Sequence, residues 1–343
     1  MQENAENIDN SEDDLVEVYH LKVDKKQEPL RIDKFIINRT ELTSRNKVQN
    51  AAKAGNILVN GNPVKQNYKI RPLDEITLIY AKSMHQPDLT PENIPLNIVF
   101  EDKDILVLNK QAGLVVHPGV GNNSGTLVNA LLYHIKDVPV KDDETRAGLV
   151  HRLDKDTSGI MITAKSDVAM TFLAKQFFDR TIKRRYWALV WGNVAEDEGR
   201  IEGHIGRDLR NSKNYTVFPH GDYGKHAVTH YKVIERFGYV TLVECKLETG
   251  RTHQIRVHMK HIGHTLFNDE KYGGNKILKG TIYNKYKQFI NNCFEICPRQ
   301  ALHAKSLGFI HPTTKKDLFF DSELPNDMAE LIEKWRVYTK AIM

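Results

Sequence analysis

A change of pattern near residues 82–97 divides the sequence into two parts that are expected to fold separately. This stretch carries Pro87, Pro91 and Pro95 and shows little hydrophobic periodicity, so residues 84–97 are predicted to be a linker. A compact basic part precedes it, and a longer part with many short strands follows it. A chain of 343 residues has room for about two domains of ordinary size.

Residues 1–20 are predicted to be a disordered acidic tail. Seven acids and no Lys or Arg lie within residues 1–17, and there are too few apolar side chains to offset the entropy lost on ordering. The whole chain has a net charge of +5, so the part after residue 17 carries +12. This excess favours a polyanionic partner such as nucleic acid, but a solvated basic surface explains the charge equally well.

Residues 21–83 are predicted to form a small α/β unit. An apolar pattern with helical spacing begins at Ile32, and a second helix is expected between Ser44 as its cap and Gly55 at its end. Asn60-Gly61 between two apolar runs predicts the turn of a β-hairpin. Nine basic residues against two acids lie between residues 30 and 71.

The part from residue 98 onward is predicted to have an α+β fold. Short apolar runs with scattered helices favour this class over a regular alternation of strands and helices. The predicted strands lie at residues 105–108, 159–164, 186–190 and 240–247. Ser166 and Asn326 are expected to cap two helices, the second with Met328, Leu331, Ile332 and Trp335 on its apolar face.

Several classes of protein are disfavoured by the composition. No run approaches the roughly 18 apolar residues that a membrane-spanning helix needs, and the acidic N-terminus does not resemble a secretory signal. Three cysteines make an odd count, which favours a reducing compartment, and we expect a cytoplasmic protein. The pairs Cys293/Cys297 and His253/His258 lack further ligands at useful spacing, so no metal site is expected.

The stretch His151–Gly159, which reads HRLDKDTSG, is the first candidate for chemistry. Asp154 lies beside Arg152 and Lys155, whose charges would keep its carboxylate ionised. An ionised carboxylate on a loop can act as a nucleophile or a general base. The alternative is a capped turn in which the polar side chains satisfy backbone donors, and the residues alone leave both interpretations open.

A second candidate is the stretch LETGRTHQIRVHM over residues 247–259. Thr252 is expected to cap a helix that runs to about Ile262, and His253, Arg256 and Lys260 share one of its faces. A helix start with Arg and His nearby can hold a phosphate or pair with a carboxylate. A solvated basic face is the alternative.

A third candidate is the basic run at residues 183–185, which enters an aromatic strand. Bases stack on aromatic rings and phosphates attract Lys and Arg, so this stretch could contact a nucleotide. Tyr186 and Trp187 point to opposite faces of a strand, so at most one of them faces such a site. Packing in the core is the commoner role for an aromatic side chain in this setting.

Taken together, HRLDKDTSG and the later GRTHQIRVHM resemble the signatures of the RluA/RluD family of pseudouridine synthases. Further matches follow in the family's order at residues 109–119, Tyr186, Asp269 with Tyr272-Gly273-Gly274, and residues 300–304. The basic N-terminal segment is similar to an S-four-type RNA-binding domain, which the RluD-like branch commonly carries. Loop positions Gln111, Thr265 and Asn268 depart from the family's usual residues.

The resemblance implies roles for individual residues. Asp154 matches the catalytic aspartate, Tyr186 the tyrosine that contacts the base, and Arg256 the arginine that pairs with the aspartate. Arg152 matches the arginine that takes the place of a flipped nucleotide, an interpretation that a planar guanidinium suits. The remaining expected RNA contacts are Arg251, His253, Lys34, Arg45, Lys47 and Lys53.

The resemblance also implies an architecture and an activity. We expect a central, mostly antiparallel sheet in a catalytic domain over residues 98–320, with a C-terminal helix over 321–343 packed on it. The small N-terminal domain would act as a tethered module that raises the local concentration of RNA. The expected reaction is the isomerisation of uridine to pseudouridine, without cofactor or metal, in RNA of the large ribosomal subunit or its precursor particle, by a monomer.

Two other functions are compatible with parts of this pattern. A non-catalytic ribosomal-RNA-binding or assembly factor would explain the charge but give Asp154 no role. A nucleoside or glycoside hydrolase would use Asp154 and Asp156 as a carboxylate pair, whose separation cannot be read from the sequence.

Overall fold

The computed structural model describes residues 16–25, 27–40, 45–81, 90–117, 122, 124–135, 148–208, 211, 214–221 and 223–342. The N-terminal unit has a four-stranded antiparallel sheet and two helices. The strands are β1 (Val16–Lys22), β2 (Ile57–Val59), β3 (Asn62–Pro63) and β4 (Glu75–Ala81), in the spatial order β1-β4-β2-β3, and the helices are α1 (Ile32–Arg39) and α2 (Arg45–Lys53).

The turn residues of this unit behave as their sequence predicts. Asn60 and Gly61 have φ values of 48° and 80°, the left-handed pair that a tight hairpin between β2 and β3 requires. Gly55, with φ of 77°, follows the end of α2. The predicted cap Ser44 lies outside the described residues.

The predicted tail and linker both extend too far. Strand β1 begins at Val16 and pairs with β4, so residues 16–20 do not belong to a tail. The prediction was based on the number of acidic residues and overlooked the β-branched and aromatic residues there, which favour a strand. Residues 90–97 pack on the second unit, where the Asn129 side chain donates to the Thr90 carbonyl and Ile94 and Leu96 contact its core. The predicted linker therefore does not include residues 90–97, and its remaining part lies outside the described residues.

The second unit is built on one large sheet, and the predicted α+β class is confirmed. Its strands are β5 (Ile98–Glu101), β6 (Ile105–Lys110), β7 (Ser158–Ala164), β8 (Lys183–Trp191), β9 (Glu198–Arg207), β10 (Tyr215–Phe218), β11 (Lys225–Arg236), β12 (Val240–Leu247), β13 (Leu302–Ile310) and β14 (Asp317–Asp321). Their order is β10-β9-β11-β12-β8-β13-β7-β6-β5, with β14 paired to β13. Among the described strands only the β7–β13 pairing is parallel, so the sheet is mostly antiparallel.

Helices cover both faces of this sheet. The helices are α3 (Leu127–His134), α4 (Asp167–Phe178), α5 (Gln254–His261), α6 (Asn284–Ile296) and α7 (Asn326–Ile342), with a short 3-10 turn at Glu270–Tyr272. Successive side chains of a strand point to opposite faces. In β6, Leu106 and Leu108 pack with α3 and α5, while Ile105 and Val107 pack with α4. Helices α6 and α7 form a third apolar cluster with Leu189 and Trp191 of β8.

Two helix caps were predicted with different success. The Ser166 hydroxyl accepts a hydrogen bond from Ala169 N and begins α4 as expected. In α7, Asn326 is the first helical residue instead of the cap, and the four predicted apolar residues from Met328 to Trp335 are buried. None of the helices in the described part of the chain has the length and apolar character that crossing a membrane requires.

Candidate active site

The loop that carries Asp154 is held from behind by two buried basic side chains, Lys110 and Arg299. Lys110 is 1% exposed, and its Nζ donates to the carbonyl oxygens of Gln111, Leu114 and Lys155 at 2.8–2.9 Å. Arg299 Nη1 lies 2.9 Å from the Asp156 carbonyl oxygen. Because these two side chains bind the main-chain oxygens of Lys155 and Asp156, directly after Asp154, the loop has a fixed path.

Arg299 also connects this loop to the C-terminal helix. Its Nε and Nη2 donate to the two carboxylate oxygens of Asp327, in the first turn of α7, at 2.7 and 3.0 Å. Ser158, which begins β7, bonds to His303 at 2.9 Å, and the other ring nitrogen of His303 bonds to Ser322 at 2.8 Å. These contacts tie the segment after Asp154 to β13 and to the chain that leads into α7.

The side chain of Asp154 belongs to a charged chain of three residues. Its Oδ2 accepts from Arg256 Nη1 at 2.9 Å, and the other two nitrogens of that guanidinium donate to Asp269 at 2.7 and 2.9 Å. Within the described part of the chain no donor is placed on Asp154 Oδ1, and the His253 ring lies beside it with Nε2 at 3.8 Å. Asp154 therefore does not cap the turn that carries it, because its one bonded oxygen accepts from Arg256.

Helix α5 begins two residues later than the predicted cap at Thr252. Gln254 is its first residue, and the Gln254 side chain accepts from Arg251 N and Thr249 Oγ1 and donates to Val228 O and Thr229 Oγ1. This network shapes the turn before the helix, so the exposed Thr252 is not needed as a cap. The helix ends at His261, close to the predicted end at Ile262.

His253, at the start of α5, has a left-handed backbone conformation with φ of 58°. Left-handed conformations of non-glycine residues are strained and cluster at functional sites. The His253 ring lies 2.7 Å from the Tyr272 hydroxyl through Nδ1. Arg256 and Lys260 lie over the Tyr272 ring at 5.0 and 5.5 Å, so the three residues predicted to share one face of the helix do meet at one aromatic side chain.

The protonation states follow from burial and charge. Burial opposes ionisation of Asp154, but His253, Arg256 and Arg152 outweigh it and hold the pKa of that carboxyl below its usual range. Burial lowers the pKa of His253 to about 4, so near neutral pH its ring is uncharged and Arg256 is the cation that contacts Asp154. Burial raises the pKa of the Tyr272 hydroxyl, which keeps its proton and can donate it to His253 Nδ1.

Asp154, His253 and Arg256 line one pocket together with other polar and apolar side chains. Its walls are formed by Arg152, Leu153, Asp154, Thr157, Tyr186, Leu247, Arg251, His253, Gln254, Ile255, Arg256 and Leu302. Tyr186 is 7% exposed and faces this pocket from β8, whereas its neighbour Trp187 faces the opposite side of the sheet. Arg152 is exposed at the rim, and Arg251 is buried with its Nε on the His226 carbonyl at 3.0 Å.

Comparison with known proteins fits this geometry. A family model described as RNA pseudouridylate synthase matches residues 104–261, and one described as S4 domain matches residues 30–76. A Chlorobaculum parvum protein named as an uncharacterized RNA pseudouridine synthase is 46% identical over 324 residues, which cover 94% of this chain and 98% of that protein. The chain belongs to the RNA pseudouridylate synthase family.

Other relatives of the synthase agree with this assignment. The ribosomal large subunit pseudouridine synthase D of Zymomonas mobilis is 41% identical over 308 residues, which cover 88% of this chain and 93% of that protein. The solved structure of human RNA pseudouridylate synthase domain containing 4 covers 70% of this chain and 93% of its own, with a TM-score of 0.53 and 23% identity, and so shares the fold. The protein is an RNA pseudouridine synthase with an N-terminal S4 domain.

The expected RNA contacts in the S4 domain are only partly described. Lys34 on α1 and Lys53 in the last turn of α2 have exposed side chains. Arg45 and Lys47 lie in α2, but their side chains are outside the described part of the structure. The assignment of these four residues to RNA binding stays a prediction.

Three residues of the synthase site were not singled out as functional in the sequence. Gln254 fixes the start of α5, and Lys110 and Arg299 hold the Asp154 loop. Lys110 offered one usable signal, since it is the last residue of the strand run ILVLNK that becomes β6, where a solvated lysine would be hard to fit. Arg299 offered none, because its partners lie far away in the sequence.

One described cluster has the composition of a metal site. The side chains of Asp102, Asp104 and His311 place ligand atoms within 4.8 Å of one another. However, His311 Nε2 bonds to Asp102 Oδ2 at 2.8 Å, and His311 Nδ1 accepts from Thr313 N and Thr314 N. Both ring nitrogens are thus engaged in fixing a turn. Cys293 and Cys297 are buried free thiols, and burial raises the pKa of each to about 12.

Proposed function

We propose that this synthase converts uridine to pseudouridine within folded large-subunit ribosomal RNA, with Asp154 as the catalytic group. The choice of RNA rests on the Zymomonas mobilis relative, whose name specifies the large ribosomal subunit. The observation that carries the catalytic role is the pairing of Asp154 Oδ2 with Arg256 at 2.9 Å in a residue that lines the pocket, while Oδ1 accepts from no donor in the described part of the chain. A carboxylate held by one oxygen and open at the other is ready to react.

Two reaction routes begin from this carboxylate. In the first, Asp154 attacks C1′ of the ribose, the bond from C1′ to N1 breaks, and uracil leaves with the electron pair. In the second, Asp154 removes the proton on C2′, and loss of uracil gives a glycal. In both, uracil turns over inside the pocket and C5 bonds to C1′. In the first route the bond from C1′ to Asp154 then breaks and its electron pair returns to the carboxylate, whereas in the second route the proton returns from Asp154 to C2′. Finally, the C5 proton is lost and N1 gains a proton. No electrons enter or leave, so the isomerisation balances without a redox cofactor.

The other pocket residues receive roles from where they lie. Tyr186, with Leu247 and Leu302, provides an apolar wall on which a planar base can stack. Arg152, an exposed residue of the pocket lining, would occupy the gap that a flipped nucleotide leaves in its helix. Arg251 and His253 line the same pocket and would contact the target nucleotide.

The alternative of a hydrolase with an Asp154/Asp156 carboxylate pair receives no support from the pocket. Asp156 is not among its lining residues, and the Asp156 main chain is bound by Arg299 behind the loop. A pure binding protein would leave the open carboxylate oxygen of Asp154 without a role.

The test compares Asp154→Asn with Asp156→Asn, two variants that differ in which carboxylate of one loop is neutralised. Large-subunit ribosomal RNA from cells lacking the protein is incubated with each, and pseudouridines are mapped chemically while binding is measured by filter retention. Asp154→Asn should lose at least about 100-fold in rate with binding kept, and Asp156→Asn should remain active. Wild-type activity in Asp154→Asn, or release of free uracil by the native protein, would overturn the proposal.

A further inference from the structure

Helix α4 is buried on two sides, because it lies between the catalytic sheet and the S4 domain. One side packs against Ile160 and Ile162 of β7 in the apolar cluster that contains Leu173 and Ala174. The same cluster includes Ile79, which comes from β4 of the S4 domain and is fully buried. The two domains therefore share a continuous apolar core instead of meeting only through the chain between them.

Strand β4 divides its side chains between two different cores. Ile76 and Leu78 point into the core of the S4 domain, whereas Ile79 belongs to the cluster of α4 and β7. A strand places alternate side chains on opposite faces, so Ile79 occupies the outer face of the small sheet. The full burial of this outer-face isoleucine shows that the S4 sheet contacts the catalytic domain through apolar packing.

A hydrogen bond gives this contact a defined orientation. Asn56 is fully buried, and its Nδ2 donates to the Thr171 carbonyl of α4 at 2.9 Å and to the Ile79 carbonyl at 3.3 Å. Among the described residues Asn56 Oδ1 has no hydrogen-bond partner, which costs about 1–3 kcal/mol in a buried setting. A leucine would avoid that cost, so the amide of Asn56 fixes the orientation of the S4 domain on α4 more than it adds to stability.

Helix α4, on which the S4 domain docks, is connected to the Asp154 loop through strand β7. Strand β7 runs from Ser158 to Ala164 between the Asp154 loop and α4, and all seven of its residues are buried. The path from Asn56 through α4 and β7 to Asp154 therefore contains packed secondary structure and no free hinge. This differs from the tethered module expected from the sequence.

Given the proposed function, we propose that the S4 domain is docked in a fixed position through Asn56 and Ile79 and so acts as a fixed arm. This fixed arm selects the target uridine by the distance between that uridine and the part of the RNA that is bound to the S4 domain. A flexible tether raises the local concentration of every nearby uridine. A docked arm instead favours those uridines that reach Asp154 while the RNA contacts the S4 domain at a set spacing. Asn56 is thus a positioning residue for substrate selection.

The first measurement tests docking without reference to activity. Spin labels at Lys65→Cys in the S4 domain and Glu330→Cys on α7, both exposed, report the distance between the domains by pulsed electron resonance. We expect one narrow distance for the native background and a broad distribution for Asn56→Asp, whose carboxylate would face the Thr171 and Ile79 carbonyls. Asn62→Asp makes the same change at an exposed position of β3 and should keep the narrow distance. A broad distribution in the native background would overturn the fixed arm.

The second measurement separates positioning from chemistry. Single-turnover modification of in vitro transcribed large-subunit ribosomal RNA gives the rate at saturation, the half-saturating concentration and the map of modified uridines. For Asn56→Asp we expect a saturating rate within about 2-fold of wild type, a half-saturating concentration about 10-fold higher and a changed map. Asn62→Asp should match wild type in all three.

Two further outcomes keep the test decisive. Ile79→Ser removes the apolar half of the contact, while Ile76 and Leu78 keep the S4 core. If Asn56→Asp folds poorly, Ile79→Ser takes its place and should show the effects expected of Asn56→Asp. An undocked variant with an unchanged map and half-saturating concentration would overturn the selective role. If the native protein forms no pseudouridine in this RNA, the proposed function fails, while the label distances still decide whether the arm is fixed.

Discussion

Arg256 and Asp269 form an ion pair with two hydrogen bonds, Nε to Oδ2 at 2.7 Å and Nη2 to Oδ1 at 2.9 Å. Asp269 is fully buried, so the pair fixes the plane of the guanidinium. The third nitrogen of that plane is the one that reaches Asp154. The orientation of the proposed catalytic carboxylate therefore depends on Asp269, a residue outside the pocket wall.

Asp269→Asn should lower the rate of pseudouridine formation at saturating RNA by about 100-fold. The amide keeps the size of the carboxylate but removes the charge that orients Arg256, so Asp154 loses its fixed direction while the pocket stays open. A single-turnover assay gives the rate, and filter binding gives the affinity, which should change far less. Glu270→Gln neutralises the adjacent, exposed carboxylate as a control. A full rate in Asp269→Asn would show that Asp154 is oriented without this pair.

Lys110→Met should destabilise the fold by about 3 kcal/mol and lower activity. The substitution leaves three buried carbonyl oxygens without their donor, at positions 111, 114 and 155, and each unsatisfied group costs about 1–3 kcal/mol before relaxation. Urea unfolding followed by circular dichroism measures the change. Lys155→Met removes an exposed ammonium group from the same loop and leaves its carbonyl in place, so it should stay within about 0.5 kcal/mol of wild type. Equal stability of the two variants would contradict the bracing role of Lys110.

Local patterns predicted the elements of the fold where each pattern depends on neighbours in sequence. The strand at 240–247, the Asn60-Gly61 turn and the apolar face of the last helix all follow from spacing of a few residues. The meeting of Asp154 with Arg256 was expected only through the family resemblance, because 102 residues separate them and no spacing rule reaches so far.

The rest of the site depends on contacts between residues that are far apart in the sequence, and a count of charges does not predict such contacts. Lys110 and Arg299 look like surface cations in the sequence, but each is buried because distant main-chain oxygens converge on it. The docking of the S4 domain was also missed. The buried apolar residues of α4, Ala169, Met170, Leu173 and Ala174, form one stripe that packing on the sheet alone explains, so they gave no signal of this docking.

Stability should fall as the pH falls below about 6.5, with His151 as one cause. Burial and then Arg184 lower the pKa of His151 to about 3, and its Nε2 accepts from Ile162 N at 3.1 Å. Between pH 6.5 and about 3 the unfolded chain binds a proton at this ring and the folded chain does not. The contribution of the neutral His151 ring to the free energy of unfolding is therefore complete above pH 6.5 and declines by up to about 1.4 kcal/mol for each pH unit below it.

Urea midpoints at pH 7.5 and pH 5 measure this effect. In His151→Gln the side-chain oxygen can still accept from Ile162. The slope of the unfolding free energy against pH should therefore fall by up to about 1.4 kcal/mol per pH unit, the contribution of one proton. His220→Gln changes an exposed ring and should keep the wild-type dependence. Burial also lowers the pKa values of His117, His253, His258 and His303, each to about 4, so part of the decline should persist in His151→Gln. An unchanged slope in His151→Gln would show that this ring is protonated in the folded protein.

Gly159→Ala should destabilise the synthase by at least about 3 kcal/mol. Gly159 lies at the parallel contact of β7 with β13, where φ is 122° and an added Cβ would come within 2.2 Å of the Ala304 carbonyl oxygen. Gly238→Ala shares the positive φ, at 77°, but finds nothing within 4 Å, so its cost should be only the backbone strain of about 1–2 kcal/mol. Thermal unfolding of the two variants separates the steric contribution from the strain. A similar loss in both would mean that β7 and β13 move apart easily, and the Asp154 loop would then lack the rigid strand on which its position depends.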